Sequence, residues 1–177
     1  MTNASSKPAV EGLVKLYNTD QHDCFACSPV NPIGLRMRFY SDGEKVYSWV
    51  AVPEHMGGWG RVAHGGIVST LLDETMGWAG IYLLEQVTLT KTITVDFKNV
   101  VYVGELLKVE AWVLRQDGRR EAVLKGSVTN SKKIVCAAAE GVFTLLTPKL
   151  AKRLGVMTDV HIEHFFNPLI NSKTTSS

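Results

Sequence analysis

From Arg61 to Glu74 the chain reads Arg-Val-Ala-His-Gly-Gly-Ile-Val-Ser-Thr-Leu-Leu-Asp-Glu, and this stretch holds most of its candidate chemistry. A His64-Gly65-Gly66 turn stands at the mouth of an apolar helix, and a carboxylate, Asp73, follows on the same helix. The first N–H groups of a helix have no intrahelical partner and carry partial positive charge. Gly65 and Gly66 have no Cβ to hold a ligand oxygen away, so the turn suits a carbonyl oxygen that becomes an oxyanion. Asp73 would then act as a general base for water or as a nucleophile toward an acyl carbon. The segment points to acyl transfer. The plainer alternative is a tight turn followed by a solvated acid.

Wound at about 100° per residue, positions 66–84 separate into two faces. Val68, Leu71, Leu72, Thr75, Met76 and Ala79 fall on an apolar core face. Gly66, Ser69, Thr70, Asp73, Gly77 and Gly80 fall on a small one. Each glycine inside a helix costs roughly 1 kcal/mol relative to Ala, so a close approach by another backbone or a ligand should compensate. Gly65 and Asp73 are eight residues apart, or roughly 12 Å along the axis, too far for one carbonyl to touch both. Either the two do not cooperate, or the acting Asp73 comes from a second subunit whose helix runs antiparallel. A two-fold dimer with composite sites is the favoured expectation, since such interfaces are common and self-complementary. The small face would allow two helices to pack closely.

His64-Gly65-Gly66 followed by Leu71-Leu72-Asp73-Glu74 resembles the hotdog-fold acyl-CoA thioesterases, particularly the phenylacetate-pathway (PaaI-like) group. Cys24-Phe25-Ala26-Cys27-Ser28-Pro29-Val30-Asn31-Pro32-Ile33-Gly34-Leu35 resembles the opening of many of these proteins. Val95-Asp96-Phe97-Lys98-Asn99-Val100-Val101 through Gly104-Glu105 resembles the strand after their central helix. The resemblance covers about residues 22–147. It implies that the Gly65 N–H is the oxyanion donor, with His64 and Gly66 shaping the turn. It also implies that Asp73 is the catalytic carboxylate, contributed across a dimer interface. Thr90 falls near a hydroxyl that some members use to hold the water or the carboxylate. One position departs: several members carry an Asn six residues before the His, where this chain has Gly58. Gly58, the nearby His55 and Trp59, and Thr70 on the helix are the candidate substrate-binding positions.

Composition sets bounds. The 177 residues are enough for one domain with a real core. A net charge of +2 is too small to indicate nucleic acid, and it is compatible with an anionic ligand such as coenzyme A. Arg119-Arg120 and Lys132-Lys133 sit at predicted hairpin turns and read as solvated loops. No stretch approaches the ~20 apolar residues of a membrane span, and the first residues lack an apolar signal core. A cytoplasmic protein without membrane or nucleic-acid partners is expected. Three cysteines argue against a secreted disulfide framework. Cys24 and Cys27 form a single C-x-x-C with His22 nearby. Packing in a turn is the expectation, with zinc or a redox pair as alternatives, and the usual second ligand pair for zinc is missing. Cys136 reads as a small core residue. His161 and His164 have helical spacing but lie outside the matched region, and no metal site is assigned to them.

The fold expected is α+β: a hotdog, with an antiparallel sheet wrapped around one long helix, dimeric or tetrameric. Residues 1–20 read as an N-terminal extension, 21–147 as the hotdog domain and 148–177 as a partly disordered C-terminal extension. Residues 1–9 look disordered, and Val10–Tyr17 has the pattern of a short amphipathic helix. Leu35–Tyr40 and Lys45–Val52 read as a hairpin, and a Gly-rich loop from Pro53 to Ala63 leads into the helix. Thr88–Phe97 alternates almost strictly. Strands at Glu105–Arg115, Glu121–Thr129 and Ile134–Leu146 should close the sheet. A short helix is expected within 149–164, with fraying over 172–177.

The function expected is hydrolysis of acyl-CoA or a related acyl thioester, with no metal or redox cofactor. A non-catalytic acyl-thioester binder on the same fold is the alternative, and the acid at Asp73 counts against it. Hydration or dehydration chemistry would need His64 itself to act as the base. Trp49, Trp59, Trp78 and Met76 are candidates to line an acyl pocket.

Overall fold

The computed structural model describes residues 10–171 and 173. The expected disorder over 1–9 lies outside them. So does the expected fraying of the last residues, except at Lys173, which pairs with Glu85 at 3.0 Å and lies over the Tyr82 ring. Strands β1 (Val14–Lys15), β2 (Phe39–Ser41) and β3 (Val46–Ala51) precede helix α1 (Gly65–Leu84). Strands β4 (Val87–Phe97), β5 (Leu106–Asp117), β6 (Glu121–Thr129) and β7 (Val135–Leu146) follow it. Every neighbouring pair is antiparallel, in the order β1-β2-β3-β5-β6-β7-β4. The sheet wraps one long helix, which is the hotdog arrangement. The chain then continues as α2 (Pro148–Arg153) and α3 (Asp159–His161), with a π-helical turn at Ile162–Phe166 leading into α4 (Asn167–Asn171). Among the described residues, no helix is long and apolar enough to cross a membrane.

One expected element is corrected. Val10–Tyr17 is not a helix: Gly12 has a left-handed φ of 80°, and Val14–Lys15 pairs with Tyr40–Ser41 as the sheet's first strand. Leu13, Val14 and Leu16 fit either period over so short a stretch, and the free edge of β2 decides between them. The hairpin's first strand is also shorter than expected, because Leu35 and Met37 bond instead to the backbone of the Cys24–Ser28 turn.

α1 is buried on nearly every side. Leu71, Leu72, Met76 and Ala79 are fully enclosed, and so is Gly80 from the small face. The small face is used within the chain. The Thr88 hydroxyl donates to the Gly77 carbonyl at 3.1 Å, and the Thr88 methyl lies 2.6 Å from where a Gly80 Cβ would stand. Gly77 and Gly80 therefore let β4 lie against α1, and that contact offsets their helix cost.

β4 carries a β-bulge. Thr90 pairs with Phe143 and Thr92 with Val142, so Lys91 is an extra residue and the inward face switches there. Thr88 and Thr90 face α1 before the bulge. Ile93 and Val95 pack on the core after it, and the Phe97 ring approaches Gly65. As the last strand of the sheet, β4 leaves Leu89 and Phe97 exposed.

Two glycine substitutions test this packing. Gly80→Ala should lower stability by about 1–3 kcal/mol, because Thr88 is branched and tied to Gly77 and cannot move aside. Gly77→Ala, whose new methyl would meet nothing closer than 4.0 Å, should be neutral or gain up to about 1 kcal/mol. Urea unfolding of both variants measures the difference.

Candidate active site

Asp73 sits half-buried on α1, and its carboxylate accepts a hydrogen bond from the Thr90 hydroxyl at 2.7 Å. The bulge at Lys91 makes this contact possible, since Thr90 and Phe97 are seven residues apart and an unbroken strand would point them to opposite faces. Asp73 and Thr90 stand at a cavity of about 320 Å³. Its walls are mainly apolar, with Trp78 and Ile81 from α1, Phe143 from β7, and Met157 and Phe165 from the C-terminal segment.

That C-terminal segment was read from sequence only as an appendage. Its residues Ala151 and Phe166 form a small core with Val87 and Leu146, which docks it over the start of β4. Phe165 meets the Trp78 ring edge-on at 5.3 Å, while Phe39 stacks on Trp78 at 4.4 Å. His161 also lines the cavity, and it closes a capping box with Thr158. Of the four residues expected to line a pocket, only Trp78 does so. Met76 is core, Trp49 packs with Tyr40 and Tyr47, and Trp59 is 90% exposed.

The glycine turn lies elsewhere. His64 is the N-cap of α1, and its Nδ1 accepts the Gly66 N–H at 3.0 Å. The ring thus occupies the Gly66 donor. The Gly65 N–H, at the first helical position, has no acceptor among the described residues. Gly65 borders a separate groove with Val68, Phe97 and Val101. Within one chain, Asp73 and Thr90 come together, and His64, Gly65 and Gly66 do not join them. Gly58 is exposed, and a Cβ there would stand 3.5 Å from His64 Cα, directly behind the turn. His55 is exposed on a short 3-10 turn at Glu54–Met56. The Thr70 hydroxyl donates back to the Gly66 carbonyl within its own helix.

Sequence reasoning passed over Glu74. Its carboxylate accepts the Trp78 Nε1–H at 3.1 Å and is in hydrogen-bond contact with the Cys27 thiol. Burial first, and then the charge of Cys24, raise its pKa from 4.5 to about 7. The available signal was the adjacency of two acids on a mostly apolar helix, which forces one of them inward.

Residues 60–137 match a family model described as the thioesterase superfamily. Over those residues the chain is similar to that superfamily. A protein of Pseudomonas aeruginosa provisionally assigned as an esterase is 36% identical over 88 residues, which are 49% of this chain and 64% of that one. An acyl-coenzyme A thioesterase of Xenopus laevis is 35% identical over 57 residues, 32% of this chain and 25% of that one. The chain thus spans less than two thirds of the length of the curated relatives it matches. Among solved structures, the E. coli PaaI protein superposes with a TM-score of 0.57 at 20% identity, covering 63% of this chain and 80% of that one. A Streptococcus mutans protein bound to acetyl CoA gives 0.55 at 23% identity, covering 59% and 82%. At these identities the structures establish the shared fold. The matched residues include Asp73, Glu74, Thr90 and the glycine turn, whereas Cys24, Cys27 and the C-terminal wall of the cavity fall outside them.

The raised pKa of Glu74 has a defined sign. The folded chain keeps the proton between pH 4.5 and about 7, where the unfolded chain releases it, so folded stability falls as pH rises through that window. Glu74→Gln carries no charge to bury. Its melting temperature should match wild type near pH 4.5 and exceed it by pH 8, by about 2–4 °C for each kcal/mol recovered. Thermal melts at the two pH values decide; a variant less stable than wild type at pH 8 would contradict the assignment.

Proposed function

We propose that this chain hydrolyses acyl-CoA or closely related acyl thioesters, working as a homodimer. The observation that carries the reading is the Thr90–Asp73 hydrogen bond at the edge of an apolar cavity. A carboxylate held in a fixed direction beside room for an acyl chain is suited to drive water onto a thioester. The superfamily match and the acyl-CoA thioesterase name of the Xenopus relative support this chemistry, and acetyl CoA in a protein of the same fold supports the ligand class.

In the proposed reaction the thioester oxygen accepts the Gly65 N–H at the start of α1, where the helix dipole favours developing negative charge. Asp73 of a second copy takes a proton from water, or attacks the acyl carbon itself. The carbon–sulfur bond then breaks, and the thiol of coenzyme A leaves as the free acid forms. Thr90 is a positioning residue that directs the carboxylate. The uncovered edge of β4 supports the dimer, since long apolar edge strands are normally paired or shielded. Gly58 in place of an Asn leaves the Gly65 N–H as the principal carbonyl donor on this reading.

Free-thiol release from short, medium, long and aryl acyl-CoAs tests the proposal. Asp73→Asn keeps the side chain's shape and should lower turnover at least about a hundredfold with the fold intact. Thr90→Ala should lose less, about tenfold or somewhat more. Saturable acyl-CoA binding with no turnover by wild type would replace the enzyme with a binding module. Sedimentation equilibrium should return the mass of two chains or a multiple of two; a purely monomeric protein would remove the composite site.

A further inference from the structure

In the wall of the cavity is a second cluster that the thioester chemistry does not use. Cys24 and Cys27 are both free thiols, and their sulfur atoms and a Glu74 carboxylate oxygen all lie within 4.8 Å of one another. The two cysteines occupy one turn, closed by the Ser28 N–H donating to the Cys24 carbonyl at 3.0 Å. The surroundings hold that turn in place. Leu35 and Met37 donate to the carbonyls of Phe25 and Ala26, Asn18 Nδ2 donates to the Cys27 carbonyl, and the Ser28 hydroxyl donates to the His22 carbonyl. The thiols are unequal: Cys24 is half-buried and Cys27 is buried.

We propose that Cys24 and Cys27 form a redox-active dithiol, with Cys24 the attacking thiolate, Cys27 the resolving thiol and Glu74 the acceptor of its proton. Two thiols and a carboxylate this close could also hold a metal ion. The described residues supply three such donors, whereas a closed structural zinc site uses four. The division of labour between the two thiols is what thiol–disulfide exchange requires. The hydrogen bond from Cys27 is the largest influence holding the Cys24 thiol down at about 5, and backbone donors and His22 assist. The same hydrogen bond, then burial, then Glu74 push Cys27 strongly upward, so it keeps its proton until a base takes it. The ionisable groups facing the pair are His22 on the preceding loop and Asp73 and Glu74 on α1.

The exchange balances with a low-molecular-weight disulfide as oxidant. The Cys24 thiolate attacks one sulfur, a mixed disulfide forms, and one thiolate leaves. Consumption of the Cys24 thiolate removes one of the charges that hold a proton on Glu74, which ionises; its carboxylate then takes the Cys27 proton as Cys27 attacks Cys24 Sγ. The Cys24–Cys27 bond forms and the second thiolate leaves. Two protein thiols are oxidised, one small disulfide is reduced, and the released thiolates take up the two protons. Cys27 and Glu74 both line the cavity that holds Asp73, so its wall differs between the two redox states.

The reduced wild-type chain is sufficient for the primary test, which does not depend on thioesterase activity. With iodoacetamide at pH 6.5, Cys24 should be alkylated at least about tenfold faster than Cys27 or Cys136. Oxidised glutathione should yield a species about 2 Da lighter, with Cys136 still free. Cys27→Ser should stop at the glutathione adduct, and Glu74→Gln should accumulate that adduct before closing. Equal, slow alkylation of both cysteines would overturn the proposal. So would a stoichiometric zinc ion in the purified protein that protects both thiols until it is chelated.

Discussion

The contact between α1 and β4 is the constraint on which the rest depends. A helix enclosed by its own sheet has little space for side chains on its flanks, and here a strand must approach closely enough for a threonine hydroxyl to reach a helix carbonyl. Gly77 and Gly80 provide the clearance, and Thr88 fixes the alignment. Two residues on, the same strand presents Thr90 to Asp73. The bulge then turns the strand so that apolar side chains resume the contact as far as Phe97 beside Gly65. One strand thus touches the acid, the core and the glycine turn in sequence, and its register decides whether the acid has a partner.

The neighbouring acids show how environment divides roles between identical groups. Asp73 points toward the cavity and a threonine hydroxyl. Glu74, one helical step away, is turned between Trp78 and the Cys24–Cys27 turn, where burial favours its protonated form near neutrality. Two adjacent acids therefore meet different surroundings, one at the cavity and one against the cysteine turn. The N-terminal loop and the C-terminal segment make this possible, because together they cover the α1 face that holds Glu74 and Trp78.

Much of the frame was legible because its periodic segments are long. The helix expected over 66–84 runs Gly65–Leu84, and the last four strands fall within two residues of their expected limits. The Asp73–Thr90 pair was visible only as a resemblance, because strict alternation conceals a bulge. Nothing in Thr90-Lys91-Thr92 marks Lys91 as the extra residue, and the reason lies in how β7 pairs with both halves of the strand. The segment at 10–17 was misjudged because its few apolar residues fit either period, and a partner strand settled the matter. The Cys24–Cys27–Glu74 cluster joins positions about fifty residues apart, a proximity that no local pattern encodes. The cavity's C-terminal wall was missed for the same reason.

A single chain holds the two halves of the proposed thioester site in places where they cannot meet. The Gly65 donor and the Asp73 carboxylate lie on one straight helix, roughly 12 Å apart along its axis, and they open onto different hollows. No side-chain rotation closes such a gap, since one helix, packed against the sheet through its core face, fixes both groups. The dimer proposed above would remove the difficulty, because an antiparallel copy related by a two-fold axis beside β4 would bring its own Asp73 toward the first chain's Gly65. On the proposed reading, Leu89 and Phe97, left open along β4, would serve both demands: a copy that covered them would shield the strand edge and assemble the two halves of the site.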